Sequence, residues 1–119
     1  MSTTIGTLTT VTKNAMLNAF RDLSGGRSVV ATNAAGVDRS NVLTVTFNSA
    51  SNGKITLSSP VTLTIQSGSD GANAIKKIFV ENNAQTATYI EFELDTAIDF
   101  PAGGNLVITQ LDVELEDPA

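Results

Sequence analysis

The sequence of 119 residues contains no cysteine and no histidine. Disulfides and thiolate metal sites are therefore excluded. The commonest general base and the commonest imidazole ligand are missing as well, and a Ser-His-Asp triad is impossible. We accordingly predict a protein that is not an enzyme, with no catalytic residues, no metal site and no cofactor.

Aromatic and basic residues are also few. Five phenylalanines, one tyrosine and no tryptophan leave valine, isoleucine and leucine to build the core, and these residues fit a pleated sheet well. The net charge of −5 predicts no nucleic-acid partner, because an acidic domain repels phosphates. The short apolar runs predict no membrane span. The opening "MSTTIGTLTT" lacks the basic and apolar regions of a signal peptide.

One helix is predicted near the start of the chain, over residues 13–23 of the stretch "TKNAMLNAFRDLSGG". Thr12 is the expected N-cap, and the two glycines that follow are typical of a helix end. Apolar residues recur at the spacing of one helix face. The stripe that we expect to be buried, against the β-sandwich or against a neighbouring subunit, consists of Met16, Phe20 and Leu23. The polar residues expected largely off this stripe are Lys13, Asn14, Asn18 and Arg21.

The rest of the chain alternates apolar and polar residues at period two, which predicts strands. The predicted strands are residues 27–32, 42–49, 53–59, 61–66, 74–82, 87–94 and 105–116. Most have one polar face, as antiparallel sheets that are covered on one side require. The fold class predicted is mainly β, an antiparallel β-sandwich or jelly-roll-like domain with one short N-terminal α-helix. Residues 1–11 are predicted to form an arm, and residues 12–119 a single domain.

The Asn52-Gly53 pair marks a hairpin turn between two of these strands. A two-residue loop would place Phe47 opposite Ser58, which mixes apolar and polar residues on one face. A three-residue loop from Ser51 places Phe47 opposite Leu57, so that the faces agree. We therefore predict the longer loop, with Gly53 at a positive φ.

Two groups of oxygen-bearing residues could suggest chemistry. The carboxylate rows are Glu91, Glu93, Asp95 and Asp112, Glu114, Glu116. Such rows can form a calcium site or a glycosidase pair, but their alternation with apolar residues favours solvated strand faces. A loop with similar oxygens contains Ser67, Ser69, Asp70 and Asn73. This loop lacks the spacing of an EF-hand, which favours a plain turn over a calcium site.

Four stretches resemble segments of a broad group of small structural proteins of tailed bacteriophages. These proteins open with a Lys-Asn-Ala-Met-Leu type of helix, here "TKNAMLNAF". They continue with a Gly-containing turn and an apolar strand, here "NGKITLSSPVTLTI", and with a β segment similar to "IKKIFVEN". They end in an Ala-Gly-rich turn and a last strand, here "FPAGGNLVITQLDVEL". The resemblance covers most of residues 12–115.

The resemblance implies a non-enzymatic component of the virion, made in the host cytoplasm. Our first hypothesis is a head decoration, or cement, protein that binds the major capsid protein from outside as a homotrimer. The alternative is a tail or fibre-associated protein. A third hypothesis, a sugar-binding β-sandwich module, requires exposed aromatic residues for stacking. The aromatic residues that could serve in that role are Tyr89, Phe79 and Phe100.

A candidate partner interface follows from apolar residues that have no obvious place in the core. Ile5, Leu8 and Val11 are spaced along the uncharged N-terminal arm. Lys76 and Phe79 belong to "AIKKIFVEN", a strand that is apolar on both faces and therefore needs cover on both. A symmetry mate in a homotrimer would supply that cover. These five residues are the predicted contact surface for a second copy or for another virion protein.

Overall fold

The protein is described here by a computed structural model that covers residues 7–115, so the predictions for Ile5 and Glu116 lie outside the described residues. The elements are α1 (Thr10–Arg21), β1 (Ser28–Thr32), β2 (Leu43–Thr44), β3 (Lys54–Thr56), β4 (Val61–Ile65), a 3-10 turn (Gly71–Asn73), β5 (Ile75–Glu81), β6 (Thr88–Ile98), β7 (Gly104–Ile108) and β8 (Asp112–Glu114).

All strand pairs are antiparallel. One sheet has the order β2-β1-β5-β6, and two further ladders pair β3 with β8 and β4 with β7. The predicted fold class is therefore confirmed: the chain is mainly β, antiparallel, with one N-terminal helix, in an arrangement compatible with a sandwich. The core is aliphatic, as the composition predicts. Its most deeply buried apolar side chains include Val29, Ile55, Leu63, Ile75 and Val80.

The helix begins and ends earlier than predicted. It spans Thr10–Arg21, and Thr9 is the N-cap, with its side chain accepting a hydrogen bond from the amide of Thr12. The prediction of Thr12 as the cap was wrong because Thr9, Thr10 and Thr12 lie close together at the start of the helix, and the sequence pattern does not say which of them accepts from the first turn. The last two residues of the predicted arm therefore belong to the helix.

The buried face of the helix also differs from the prediction. Leu17 is 3% exposed, whereas Met16 is 50% and Leu23 is 48% exposed. Phe20 is half-buried against the rings of Phe47 and Tyr89. The helix is thus rotated away from its apolar stripe, because the side facing the sheet is held by polar contacts described below.

The hairpin at Asn52-Gly53 combines features of both loops that we compared. Ser51 pairs with Lys54 across a two-residue turn in which Asn52 and Gly53 both have positive φ, so the prediction of a longer loop was wrong. The predicted partners Phe47 and Leu57 do face each other. Both hold because the strand before the turn contains one extra residue, a β-bulge in which residues 49 and 50 oppose residue 55.

Two predicted strands are interrupted because the chain changes partner within them. In residues 42–49, the amide of Val45 donates to Arg27 next to β1, whereas Thr46 accepts from Ser58 beyond β3. Residues 105–116 likewise form β7 on β4 and then β8 on β3. Period two persists through such a crossing, so the pattern alone does not reveal it.

Strand β5 is covered on both sides within the chain. An irregular register between Ile75 and Lys77 brings Ile75 onto the core side with Ile78 and Val80. Phe79 is half-buried on the other face, where its ring lies close to Gly36. The two-sided apolar pattern of this strand therefore does not require a symmetry mate.

Candidate interaction surface

Polar side chains attach α1 to the hairpin between β2 and β3. Asn14 Oδ1 accepts a hydrogen bond of 2.8 Å from the amide of Gly53, and Asn18 Oδ1 accepts one of 2.8 Å from the amide of Ala50. One turn further along the helix, Arg21 Nη1 donates to Ser49 Oγ at 2.7 Å. These side chains follow the i, i+4, i+7 spacing of one helix face. The polar side of the helix, which lies off the apolar stripe, is therefore the side that docks.

The local backbone of the hairpin explains why asparagine occupies these positions. Ala50 lies in the β-bulge, where one residue has no ladder partner, and Gly53 lies in the turn. Each leaves a partly buried amide that needs an acceptor. The two asparagine side chains supply these acceptors. Leucine or alanine at the same two positions would offer no acceptor to these amides.

The other end of α1 is fixed by Arg27, which is 3% exposed. Its guanidinium donates to the carbonyl of Phe20 and, at 2.8 Å, to that of Leu23. A cation at these carbonyls complements the helix dipole. The guanidinium carbon also lies 5.2 Å from the centre of the Phe20 ring and 5.1 Å from that of Tyr89. Arg27 therefore links the helix end to the start of β6.

Because its polar side docks, α1 turns its apolar side outward. Val11 is 80% exposed, and Ala15 and Ala19 are exposed along the same ridge. Met16 in the helix, Leu8 just before it and Leu23 just after it are each between 42% and 50% exposed. We call this set the outer helix face: Leu8, Val11, Ala15, Met16, Ala19 and Leu23. Exposed apolar residues that are contiguous, rather than scattered, are typical of an interaction site.

The predicted interface residues divide between separate parts of the fold. Leu8 and Val11 lie on the outer helix face. Lys76 is half-buried, and its ammonium donates to the carbonyls of Leu94 and Asp95, where it fills an irregularity in the β5–β6 ladder. Phe79 lies under Gly36. Lys76 and Phe79 thus have partners inside the described chain, and the structure does not bring them to the helix.

Sequence reasoning left open whether Met16 and Leu23 pack on the β-sandwich or on a neighbouring subunit, and it did not place them on the surface of the single chain. The available signal was the pair of asparagines at i, i+4, since buried amides of a bulged hairpin attract such side chains. The ridge formed by Val11, Ala15, Ala19 and Leu23 at intervals of four was visible too. Neither pattern by itself says which side of a helix faces the domain.

The carboxylate row of β6 is exposed along its length. Glu91 Oε1 lies 2.6 Å from Lys77 Nζ on the neighbouring strand, and this hydrogen bond raises the pKa of Lys77 above its ordinary value. Glu93 and Asp95 extend the row toward the end of the strand. Near the helix end, the guanidinium of Arg21 donates to Asp22 and lowers the pKa of that carboxyl.

The oxygen-rich loop and the aromatic residues have structural roles. Ser69 is fully buried, and its hydroxyl donates to the carbonyl of Gln66 and accepts from Arg39 Nε. Asn73 Oδ1 accepts from Asn33. Within residues 7–115, no three side chains of the types His, Cys, Asp or Glu cluster as metal ligands. The three aromatic residues considered for sugar stacking, Tyr89, Phe79 and Phe100, are each half-buried.

Comparison with protein-family models, with curated proteins and with solved structures finds no match for this chain. Among the described residues, none of the helical structure is long and apolar enough to cross a membrane.

Proposed function

We propose that this chain is a non-enzymatic structural protein of a bacteriophage particle, where it decorates and stabilises the outer head surface. The observation that carries the proposal is the outer helix face. A helix that binds its own domain through asparagines and presents valine, methionine and leucine outward is built to contact another chain. The resemblance of "TKNAMLNAF" and of the last strand to phage structural proteins is the reason for proposing that this other chain belongs to a phage particle.

The occupant of the outer helix face is a second copy of this chain, in a homotrimer. Val11, Ala15 and Ala19 form an i±4 ridge of α1, and Leu23 follows two residues after the helix ends. Such a ridge fits the groove beside the same ridge of an identical helix, and small central residues permit a close approach. Cyclic symmetry closes these contacts without leaving an exposed apolar patch.

The size of this surface indicates how the trimer is completed. A standard interface buries about 800 Å² on each partner, and one ridge of a helix of 12 residues provides less. The trimer is therefore weak in solution and becomes stable on the particle, where the major capsid protein adds further contacts.

Protein mass analysis of purified particles tests the role. Heads and tails are separated, and the copies of this chain in each are counted against the major capsid protein. A copy number in the hundreds on heads supports decoration. Its recovery with tails alone, at a few copies or small multiples of three or six, assigns it to the tail or fibre instead. Absence from both fractions overturns the proposal.

A further inference from the structure

Strand β6 has an open edge along eleven residues. It is the last strand of the order β2-β1-β5-β6, and within residues 7–115 no other strand pairs with its outer side. Strand β7 lies at the corresponding edge of the β4–β7 ladder, since the other side of β4 contacts Ser40. Open backbone groups at such an edge can accept an additional strand.

An apolar groove of about 370 Å³ lies between these two edges. The side chains that line it include Ile78, Phe92, Leu94, Ile98, Leu106 and Ile108. Ile98 is 39% exposed and Val107 is 55% exposed at the same place. A strand added beside β6 would point every second side chain toward this groove. The groove therefore selects apolar residues at alternate positions.

The opposite face of the same edge is acidic. Glu93 and Asp95 are exposed, and neither has a cation at ion-pair distance in the described part of the chain, although Lys77 lies opposite Glu93 on β5 and is attracted by its charge. Acidic residues are also concentrated in the C-terminal part of the sequence, which contains β6. Residues 1–77 have seven basic and three acidic residues, a net charge of +4, whereas residues 78–119 have nine acidic and no basic residues, a net charge of −9. This face therefore selects basic residues at the remaining positions.

From these features we propose that β6 binds an extended segment of another protein as an additional strand, and that basic and apolar residues alternate in this segment. Backbone hydrogen bonds to the β6 edge hold it in place. The apolar side chains of the segment fill the groove, and its lysine or arginine side chains lie against Glu93 and Asp95. This mode combines main-chain affinity with side-chain pockets for specificity.

A second copy of this chain does not fit the same edge. Antiparallel pairing of β6 with β6 would set the row of Glu91, Glu93 and Asp95 against an identical row. Like charges directly opposite each other destabilise a strand pair. The C-terminal part of the sequence, from residue 78 onward, has no lysine or arginine to offer. The partner is therefore a different chain, and the proposal does not depend on the outer helix face or on a particle.

The test uses the full protein and a blocked eight-residue peptide in which lysine and valine alternate. NMR titration should shift the amides of β6 and of residues 106–111, with affinity that falls as salt is added. A peptide in which glutamate replaces lysine should not bind. A scrambled peptide with clustered lysines has the same charge but no alternation. If it binds equally well, the contact is general charge attraction and the proposal is wrong.

Two sets of variants separate charge from backbone pairing. Replacing Glu93 and Asp95 together by lysine should weaken binding about fivefold or more, since each cross-strand charge pair changes sign. Glu114→Lys, an exposed charge reversal on β8, should leave the affinity unchanged. Two peptides that carry N-methyl groups on opposite sets of alternate residues test the backbone pairing with β6. The peptide methylated at the amides that face β6 should not bind, and the peptide methylated at the other amides should still bind. If both methylated peptides bind like the parent peptide, no strand is added to β6 and the proposal is wrong.

Discussion

The side-chain oxygen of Asn18 accepts a hydrogen bond of 2.8 Å from the amide of Ala50, in the β-bulge that precedes the Asn52-Gly53 turn. Asn14, one helical turn earlier, accepts from Gly53 in the same way. This pair of contacts determines which side of α1 faces the domain. It also leaves the apolar side of the helix outward, where the proposed assembly surface lies.

Amide hydrogen exchange tests each of these contacts separately. Asn18→Ala should speed exchange at the amide of Ala50 about fivefold or more, because one such hydrogen bond contributes about 1 kcal/mol. Asn14→Ala should do the same at Gly53. Each variant is the control for the other, since its effect should stay at its own amide. Equal changes at both amides, or at neither, would contradict the docking contacts.

Leu17 should be the helix residue whose truncation is most costly. Leu17→Ala removes a side chain that is 3% exposed and should cost about 2–5 kcal/mol of unfolding free energy. Met16→Ala, at an exposed neighbouring position, should change stability by about 0.5 kcal/mol or less. Chemical denaturation of the two variants measures both. A larger loss for Met16 than for Leu17 would restore the face predicted from the sequence.

The sequence was sufficient for the fold class and for most strands, because β-branched residues at period two and glycines at turns act locally. It also placed Phe47 opposite Leu57. It was not sufficient for the orientation of α1. That orientation depends on Asn14 and Asn18 meeting two particular amides of a hairpin more than thirty residues away. An apolar stripe indicates burial only when no polar contact of this kind competes.

Strand breaks were unpredictable for a related reason. Residues 105–116 keep their alternation while the chain crosses from β4 to β3, so the break at residues 109–111 is a tertiary event. The outer helix face was partly predictable, since Leu8 and Val11 were expected to lack a place in the core. The sequence pattern did not show that Lys76 and Phe79 lie apart from the outer helix face. Their contacts are with backbone carbonyls and with a glycine elsewhere in the chain, which no local pattern reveals.

The ion pair across β5 and β6 predicts a pH dependence. The pKa of Lys77 is raised by its hydrogen bond with Glu91, so the contribution of the pair is present at neutral pH and is lost as pH rises through the pKa of the folded protein. Glu91→Gln should lower the pKa of Lys77 toward its ordinary value, as measured by NMR titration of the lysine side chain. Glu93→Gln is the control and should have a smaller effect. An unchanged pKa in Glu91→Gln would show that the pair does not form.

Gly103 should resist substitution more strongly than Gly71. Both have positive φ, which costs an L-residue about 1–2 kcal/mol. A β-carbon on Gly103, just before β7, would also lie 2.7 Å from the carbonyl oxygen of Ile65 on the paired strand β4, whereas one on Gly71 would meet nothing within 4 Å. Thermal unfolding should therefore show a larger loss for Gly103→Ala than for Gly71→Ala. Equal losses would mean that the β4–β7 ladder relaxes around the added methyl group.

The most direct test of the outer helix face is sedimentation velocity from micromolar to millimolar protein, with three proteins compared. Val11→Glu places a charge at the most exposed position of the face, and Val37→Glu is a matched control, because Val37 is 56% exposed in a loop between β1 and β2. We predict that the wild type and Val37→Glu approach the mass of a trimer as concentration rises, while Val11→Glu remains monomeric with an unchanged melting temperature. A wild type that stays monomeric throughout, or a Val11→Glu variant that associates like the wild type, would contradict the account.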